Sequence, residues 1–375
     1  MSVSPMKQEF SVPEGMYLLS HSVGCLSHQA EQVLSERYLT QWQQHGGDAW
    51  PKWLGIIDDF CRELGDVIGA NANDICPQQN VSSGLTKYLM SMPLRANKNV
   101  ILMHASAFPS VGFVAKALEQ QGYILELIDQ QFDPRDLDVW AEKISSHTAF
   151  VVVTHVHSNS GVKSPVKEIA ELAKAFDAKV IVDVAQSVGV VPIDVKSWQV
   201  NCILGSCVKW LCGGPGAGFM WLEPTHISEL KPLDVGWFSH ANPFEFEIEH
   251  FVYADKAKRF WGGTPNIAAY ATALGSLQLI KHIGVAQIAR HNRLLRQRVY
   301  QAAEPLLLSV HQLDDEGGTL CLDFKPEAML AFIEDLRALG AYYDQRAGVL
   351  RLSFHIYNTE QQATQLIECL QKLRL

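Results

Sequence analysis

The sequence lacks the marks of membrane, secreted and nucleic-acid-binding proteins. No apolar stretch reaches the ~20 residues that a membrane-spanning helix needs. Residues 1–13 are polar and contain no apolar segment of the kind found in secretory signals. Lys and Arg form no patch, and the formal net charge of −9 disfavours binding to a phosphate backbone, which requires a basic face. We therefore expect no membrane partner and no nucleic-acid partner.

Cysteine pairs with the spacing of a metal site are also missing. The eight cysteines are scattered, and none forms a Cys-x-x-Cys pair. Cys202, Cys207 and Cys212 are evenly spaced but fit neither a zinc knuckle nor one face of a strand, so we interpret them as small core residues. Scattered cysteines in a chain of this size are typical of a reducing compartment. We expect a cytoplasmic protein with reduced thiols and no metal site.

The sequence does contain enough apolar surface for a large core. Its 375 residues are 47% hydrophobic and 19% charged, with no internal repeat and no low-complexity linker. The predicted helices cover 29–44, 54–68, 114–121, 166–176 and 267–283, and the predicted strands cover 100–103, 123–128, 149–153, 179–182 and 202–204. This alternation predicts an α/β fold with a parallel sheet covered by helices on both faces. Residues from about 285 to 375 are expected to form a smaller α/β domain.

Several chemically active side chains follow the predicted strands. His104, His155, Asp183 and Lys209 all come just after strand ends. Ligands of parallel α/β sheets bind at the carboxyl ends of the strands. We therefore expect these four side chains to converge on one crevice.

Asp183 and Lys209 form the most informative pair. One apolar run ends in Asp183, and a second leads into a small-residue turn that carries Lys209. A pyridoxal phosphate (PLP) enzyme needs a Lys amine that forms a Schiff base with the cofactor aldehyde, and a carboxylate that keeps the pyridine nitrogen protonated. Trp210 and the Gly-Gly-Pro-Gly turn at 213–216 give the lysine an apolar setting, which lowers the pKa of its amine. An Asp at a strand end can instead cap the next turn, but the presence of Lys209 favours the catalytic interpretation.

Two further positions have both a chemical and a structural interpretation. Ser82 lies in the Val-Ser-Ser-Gly-Leu segment at 81–85, before a predicted helix, where backbone N–H groups can bind a phosphate or form an ordinary cap. Arg351 lies in the apolar, strand-like segment 348–354, where a buried guanidinium requires a partner. That partner is either a substrate α-carboxylate held by two parallel hydrogen bonds or a structural ion pair.

Together these segments resemble the class V branch of fold-type-I PLP enzymes, and within it they resemble kynureninase most. The resemblance extends from about residue 17 to residue 359. Its most specific pieces are 107–110 (Ala-Phe-Pro-Ser), Lys209 with 213–216, 236–238 (Gly-Trp-Phe), 259–260 (Arg-Phe) and 263–265 (Gly-Thr-Pro). It implies a mainly parallel seven-stranded sheet covered by helices, plus a smaller α/β C-terminal domain.

The resemblance also implies a domain plan and a partner. An N-terminal arm and helix are expected over 1–50, a large PLP-binding domain over 51–265 and a small C-terminal domain over 266–375. The active unit is expected to be a homodimer with shared active sites. The substrate is expected to be an amino acid, and the cofactor pyridoxal 5′-phosphate.

Individual site residues are implied by the same resemblance. The catalytic pair is Lys209 and Asp183. The residues implied in cofactor binding are Val81 and Ser82 at the phosphate, Phe108 stacked on the pyridine ring, Gln186 at its phenolic oxygen, Trp237 at the phosphate, and Thr264, which reaches the neighbouring subunit's cofactor. The residues implied in substrate binding are Arg351 at the α-carboxylate and His45. A core aromatic is the alternative for Phe108 and for Trp237, and a solvated loop histidine is the alternative for His45.

The chain departs from kynureninases at four positions around this site. Val208 replaces a Tyr, Val111 an Asp, Asn159 an Arg, and Cys212 an Asn. Gln186 replaces the His that kynureninases usually carry, and Gln is typical of the cysteine desulfurase relatives. These changes predict an altered substrate pocket.

Four functions follow in order of preference. Kynureninase-like hydrolytic C–C cleavage with an altered pocket is expected first, and class V transamination or another PLP lyase reaction is the alternative. A cysteine desulfurase is less favoured because residues 340–350 contain no cysteine for its nucleophile. A non-catalytic PLP-binding protein is least favoured because Asp183, Lys209 and Arg351 are all present.

Overall fold

A seven-stranded sheet and a smaller three-stranded sheet organise the chain. The computed structural model describes residues 6–309 and 316–373. The strands in these ranges are β1 (Phe10–Ser11), β2 (Met16–Tyr17), β3 (Leu26–Ser27), β4 (Ile75–Gln78), β5 (Val100–His104), β6 (Ile124–Ile128), β7 (Thr148–Thr154), β8 (Lys179–Asp183), β9 (Cys202–Ser206), β10 (Gly218–Leu222), β11 (Thr319–Leu322), β12 (Ala341–Tyr342), β13 (Asp344–Arg346) and β14 (Val349–Ser353). The α-helices are α1 (His28–Val33), α2 (Thr40–His45), α3 (Trp50–Ile68), α4 (Val81–Leu89), α5 (Pro109–Ala117), α6 (Leu137–Lys143), α7 (Val166–Lys174), α8 (Val195–Trp198), α9 (Ile267–Ile283), α10 (Val285–Ala303), α11 (Pro326–Ala338) and α12 (Glu360–Lys372).

The large sheet has the strand order β4-β10-β9-β8-β7-β5-β6. β6, β5, β7, β8 and β9 pair in parallel. β10 is antiparallel to both of its neighbours, β9 and β4. The mainly parallel seven-stranded sheet expected from the sequence is confirmed. Because parallel strands end at the same edge, the segments after β8 and β9 are brought side by side.

Both faces of the large sheet are covered, which explains why its strands are continuous apolar runs. In β5, Val100 and Leu102 pack into one core cluster while Ile101 and Met103 pack into another. The first cluster contains the apolar faces of α3, α7 and α9, and the second contains those of α4 and α5. Successive side chains of a strand point to opposite faces, so each strand contributes to both clusters.

The predicted helices lie where the structure has helices, but several of their first and last residues differ. The segments predicted at 54–68, 166–176 and 267–283 are α3, α7 and α9. The segment predicted at 29–44 is α1 and α2 joined by one π-helical stretch, Leu34–Leu39. The helix predicted from 114 begins earlier, at Pro109, because proline suits the first helical position and Phe108 is extended before it.

The placement of residues 81–85 before a helix was wrong. α4 begins at Val81, so this segment forms its first turns. Asn80 is the N-cap, and its side-chain oxygen accepts a hydrogen bond from the Ser83 N–H at 2.9 Å. The unused N–H groups of the helix end therefore belong to its first residues, Val81 and Ser82.

The three-stranded sheet is antiparallel, with the order β11-β14-β13. It packs with α10, α11 and α12 in a third core cluster, which also contains Met16 and Leu18 from the N-terminal part of the chain. β2 and β12 pair in parallel as a separate two-stranded sheet, and an isolated bridge between Leu19 and Ser353 connects the N-terminal segment to β14. α9 belongs instead to the core of the large sheet, where it packs on α3. The domain boundaries at 50 and 265 remain predictions.

All eight cysteines are free and buried, at positions 25, 61, 76, 202, 207, 212, 321 and 369. Burial raises the pKa of each thiol, for example to about 11 for Cys25 and to about 12 for Cys76. The interpretation of Cys202, Cys207 and Cys212 as core residues is confirmed.

Over the described ranges, no helix combines the length and the apolar character required to span a bilayer.

Candidate active site

Lys209 lies in the tight turn that follows β9. Its backbone carbonyl accepts a hydrogen bond from the Cys212 N–H at 2.9 Å, and the Val208 carbonyl accepts one from the Gly24 N–H at 2.8 Å. A Cβ at Gly24 would lie 2.2 Å from the Lys209 carbonyl oxygen, so only glycine fits there. Trp210 is completely buried beside the lysine. These contacts hold the lysine backbone against the N-terminal segment.

Asp183 is the last residue of β8, the strand next to β9. It is 8% exposed, and its Oδ1 accepts the Ala185 N–H at 2.8 Å. Burial raises the pKa of this carboxyl group, against the opposing effects of the Ala185 N–H and the Lys209 charge. Burial likewise lowers the pKa of the Lys209 amine, which the Asp183 charge opposes. The two groups therefore stabilise each other's charged forms in a poorly solvated site.

Phe108 lies beside Lys209. Its ring centroid is 5.7 Å from the Lys209 Nζ, and the side chain is 38% exposed. Phe108 is extended at the N-cap position of α5, so its ring projects from the end of the helix into the crevice. An aromatic ring beside a reactive amine offers a surface on which a flat ligand can stack.

Arg351 is fully engaged on one edge of its guanidinium group. Its Nε donates to Asp344 Oδ1 at 2.7 Å, and its Nη2 donates to Asp344 Oδ2. Its Nη1 donates to the Ser158 carbonyl at 2.9 Å. The structural ion pair that the sequence left open for Arg351 is thus present. One N–H on each terminal nitrogen remains for an end-on contact with a further anion.

Asp344 connects Arg351 to a residue near the N-terminus, His21. The two residues Asp344 and Arg351 face each other across β13 and β14. The His21 Nε2 lies 3.2 Å from Asp344 Oδ1, and its Nδ1 lies 2.9 Å from the Ser353 Oγ. Burial alone would raise the pKa of Asp344, but the hydrogen bonds from His21 and Arg351 hold it well below its ordinary value. The carboxylate is therefore ionised at neutral pH.

Gln186 joins this cluster from the loop after β8. It is 7% exposed, and its Nε2 donates to the His21 carbonyl at 3.2 Å. Among the described residues its buried Oε1 has no hydrogen-bond partner, and neither has the buried Oδ1 of Asn159. Orphaned buried polar atoms are uncommon, and each one calls for a ligand or water.

Three candidates lie apart from Lys209. Trp237 packs edge-on against Trp50, with ring centroids 5.8 Å apart. Thr264 lines a small cavity of about 150 Å³ together with Ser83. The exposed His45 has its Nε2 2.9 Å from the Lys52 Nζ. Within residues 6–309 and 316–373, no hydrogen bond, ion pair or ring contact joins these three to Lys209.

The two histidines at strand ends are occupied elsewhere. The His155 Nδ1 lies 2.8 Å from the Ser187 Oγ, and burial lowers the pKa of its imidazole to about 3. The His104 Nδ1 lies 2.6 Å from the Ser106 Oγ, which also lies 2.8 Å from His157 Nδ1. In the described ranges none of these contacts reaches Lys209.

Arg346, Asp344 and His21 are the site residues that the sequence did not indicate. Arg346 places its guanidinium carbon 5.7 Å from the Phe108 ring centroid, with its Nη1 3.4 Å from the Ser158 Oγ. Alternation along a strand that pairs with the Arg351 segment could have identified Arg346 and Asp344. Nothing in the local sequence of His21 marks it.

The arrangement combines a lysine of lowered pKa, a buried carboxylate, an exposed aromatic ring and two guanidinium groups. Such an amine can carry an aldehyde cofactor and exchange a proton with a bound substrate. The guanidinium groups can hold carboxylates. The site therefore suits amino-acid chemistry.

Comparison with known protein families agrees with this geometry. The profile of the family described as aminotransferase class-V matches residues 59–325. An uncharacterized aminotransferase, YcbU of Bacillus subtilis (strain 168), is 29% identical over 325 residues, which cover 86% of this chain and 85% of that protein. A kynureninase from Pseudomonas fluorescens is 27% identical, with 94% of this chain and 88% of that protein covered.

Solved structures share the architecture. A C-DES variant with glycine covalently linked to its PLP cofactor has a TM-score of 0.87 at 20% identity, covering 98% of this chain and 99% of that one. The apo cysteine desulfurase from Thermococcus onnurineus NA1 has a TM-score of 0.82 at 21% identity, covering 100% and 98%. The expected fold-type-I architecture is confirmed by these likenesses.

Proposed function

The chain belongs to the aminotransferase class-V family of PLP-dependent enzymes, and on that premise we propose that it cleaves a C–C bond of an amino acid hydrolytically, as kynureninases do, with a substrate other than kynurenine. The cofactor is pyridoxal 5′-phosphate. The observation that carries the proposal is the Lys209–Asp183 pair at the ends of two neighbouring parallel strands, with Phe108 beside the lysine.

The residues around Lys209 fit this cofactor. The unpartnered amide oxygens of Gln186 and Asn159 can accept hydrogen bonds from protonated ring substituents of the cofactor, while the Gln186 Nε2 stays bonded to the His21 carbonyl. The Phe108 ring can stack on the pyridine, and the Asp183 carboxylate can pair with the ring nitrogen. The first N–H groups of α4, at Val81 and Ser82, suit the phosphate. When bound, the cofactor supplies the electron-accepting ring on which amino-acid chemistry depends.

We assign the proton transfers to Lys209. The lowered pKa of its amine leaves a larger fraction unprotonated near neutral pH, which a base needs. In a kynureninase-like reaction this amine moves protons at Cα and at Cγ of the substrate. Arg351 retains two N–H groups with which it can grip the α-carboxylate end-on and so orient the Cα–H bond.

Four substitutions support a substrate other than kynurenine. Val208, Val111, Asn159 and Cys212 stand where kynureninases carry Tyr, Asp, Arg and Asn. Val111 is 2% exposed in α5, and Cys212 is 1% exposed after Lys209. Each replacement by Val or Cys removes a strong hydrogen-bonding group from the surroundings of the cofactor and pocket. We therefore expect kynurenine to be a poor substrate.

Transamination is the second candidate, because the relative at 29% identity is named as an aminotransferase. A cysteine desulfurase needs a nucleophilic cysteine. The cysteine opposite Arg351 across β11 and β14 is Cys321, and its setting disfavours this role. That thiol is buried, and burial raises its pKa to about 12, so it is a poor nucleophile.

The test starts from the purified protein and its absorbance. We expect a PLP band that changes when an amino acid is added, and borohydride reduction followed by mass spectrometry should find the label on Lys209. Lys209→Ala should lose the label and turnover. A label on another lysine, or no response to any amino acid, would refute the proposal.

The reaction is then identified by products, with panels of γ-oxo amino acids and of amino-acid/keto-acid pairs. Kynurenine should be cleaved with kcat/KM below about 10⁴ M⁻¹s⁻¹, the low end of ordinary enzyme efficiency. Faster release of anthranilate would show that the pocket still accepts kynurenine. Products that require amino-group exchange would instead favour transamination.

We also propose a homodimer with shared active sites and a cytoplasmic location. Exposed apolar side chains near Trp237 support the dimer. Eight free thiols suit a reducing compartment.

A further inference from the structure

Arg346 brings a second guanidinium group to the Lys209 site. Residues two apart in a strand point to the same face, so Arg346 shares the face of Asp344, which pairs directly with Arg351. A two-residue turn at Ala347 and Gly348 joins β13 to β14, and both residues have positive φ, 49° and 84°. Turns of this kind match the twist of a hairpin and hold the strand ends in register. The backbone of Arg346, directly before the turn, is thus held in register, and its exposed side chain extends from there.

The guanidinium groups of Arg351 and Arg346 differ in whether a neighbouring carboxylate neutralises their charge. Arg351 is 2% exposed and its charge is paired with Asp344. No carboxylate lies within 4 Å of the Arg346 guanidinium among residues 6–309 and 316–373. Its contacts are the Phe108 ring and a 3.4 Å approach to the Ser158 Oγ. Arg346 therefore forms no ion pair in this part of the chain, and Asp344, which is paired with Arg351, acts on its charge only at longer range.

The carboxylates around Lys209 already have partners, which leaves the Arg346 guanidinium for an anion of the substrate. Asp183 interacts with the Lys209 charge and would pair with the cofactor nitrogen, and Asp344 is paired with Arg351 and His21. A substrate with a single α-carboxylate engages Arg351 alone. A second anion on the substrate side chain could bind Arg346, which lies over the Phe108 ring on which the cofactor would stack.

We propose that the substrate is an α-amino acid whose side chain carries a second anionic group, a carboxylate or a group of like charge, and that Arg346 binds it. This inference rests on the proposed function and narrows its substrate class. Charge-assisted hydrogen bonds from a guanidinium to a carboxylate are short and directional, and the planar fork favours two at once. Loss of such a contact changes affinity on the order of 10- to 100-fold.

The test compares acids with their isosteric amides on the PLP-loaded protein. Absorbance titrations and kcat/KM are measured with L-aspartate against L-asparagine, L-glutamate against L-glutamine, and L-alanine as the neutral reference. The variants are Arg346→Gln, Arg346→Lys, and Gln345→Ala as the matched control. Gln345 lies on the same strand but points to the opposite face. Cofactor dissociation constants are measured for each protein.

In the wild-type protein at least one acid should be favoured over its amide by on the order of 10-fold or more. Arg346→Gln should bring that ratio close to one, Arg346→Lys should give an intermediate ratio, and Gln345→Ala should retain the wild-type ratio. Equal affinity for acids and amides in the wild type would overturn the inference. So would an Arg346→Gln variant that keeps the preference, or one that only weakens PLP binding, since Arg346 would then serve the cofactor phosphate.

The same data separate this inference from the function on which it depends. If the PLP band responds to alanine and the amides as strongly as to the acids, the substrate class is wrong while amino-acid chemistry stands. If the band responds only to neutral γ-oxo amino acids of the panel that tests the proposed function, the substrate class is wrong while the proposed function stands. If it responds neither to these five amino acids nor to that panel, the proposed function and the substrate class fall together.

Discussion

Asp183 shows how much of the site depends on one carboxylate. It is buried at the end of β8, and one backbone N–H and the Lys209 charge oppose the effect of burial on its pKa. A cofactor ring nitrogen beside it would be held protonated only while the carboxylate is ionised. The neutral amide of the same shape can accept the Ala185 N–H but cannot supply the charge.

Asp183→Asn should therefore fold normally and lose most of its activity. We expect turnover to fall on the order of 100-fold or more, the usual effect of removing a group that stabilises charge in the transition state. Circular dichroism and Tm should stay close to wild type, because the hydrogen bond to Ala185 survives. Asp177→Asn, an exposed substitution at the other end of β8, should leave turnover unchanged. Near-normal turnover in Asp183→Asn would remove Asp183 from the catalytic assignment.

At the residue level, the sequence identified the side chains that can be recognised from their immediate neighbours in the chain. Lys209 is recognisable from the turn that follows it, and Asp183 from the apolar run that precedes it. His21 and Asp344 are in contact although they are 323 positions apart in the chain. No local pattern reports such a contact, since it depends on how β13 docks against the N-terminal segment. The partner of Arg351 is Asp344, only seven positions away, but their pairing depends on the β13–β14 hairpin, which was not assigned from the sequence.

At the level of helices and strands, close packing explains why α9 has a glycine in its interior. Gly275 lies in the middle of this helix, where glycine has poor intrinsic propensity. A Cβ at this position would lie 2.5 Å from the Gln29 carbonyl oxygen and 2.6 Å from the Ala30 Cα. Gly55 in α3 is also helical, but a Cβ there would meet nothing within 4 Å.

These two glycines make a matched pair for mutation. Gly275→Ala should destabilise the protein by about 1–3 kcal/mol, because backbone must move to relieve the clash. Gly55→Ala should stabilise it by about 0.5–1 kcal/mol, the ordinary helix-propensity gain. Denaturant titration of both variants measures the difference. Equal effects of the same sign would mean that α1 and α9 are not packed as closely as described.

Element prediction succeeded where a helix or strand has a long periodic pattern. α3, α7 and α9 were identified in this way, as were the five parallel strands from β5 to β9. β4 and β10 were not assigned from the sequence. β10 returns antiparallel after the loop that carries Lys209 and pairs with β4, so both lie outside the strand–helix alternation. Their places in the sheet are set by pairing, which a single strand's sequence does not encode.

For the whole molecule, the most unusual surface is the segment from 233 to 252. Ile248 is 96% exposed and Phe246 is 78% exposed, and Leu233, Phe244 and Val252 are each more than half exposed. Apolar side chains grouped in this way mark an interaction surface. The segment contains Trp237 and Phe238, close in sequence to the Gly-Thr-Pro turn at 263–265 that is expected to serve a second subunit.

We expect a homodimer that buries this segment and depends on it for activity. Phe246→Ser and Ile248→Ser should each weaken dimerisation on the order of 10-fold or more, since burying such a side chain contributes about 1.5–3 kcal/mol. Leu330→Ser, at a 69% exposed position of α11, is the control and should have no effect. Light scattering and enzyme assay over a dilution series measure both properties. A wild-type monomer that is fully active at nanomolar concentration would contradict shared active sites.

Because every thiol in the chain is buried, the rate at which each cysteine is alkylated measures how often its region of the protein opens. A thiol reacts with an alkylating reagent only as an exposed thiolate, so the folded protein should be alkylated slowly at every cysteine. Cys202 lies in β9 of the large sheet, whereas Cys321 and Cys369 lie in β11 and α12 around the small sheet. Mass-spectrometric labelling rates at these positions then report how often each region opens. Equal rates would indicate that the two sheets unfold as one cooperative unit, and faster labelling at Cys321 and Cys369 would indicate that the C-terminal region opens on its own.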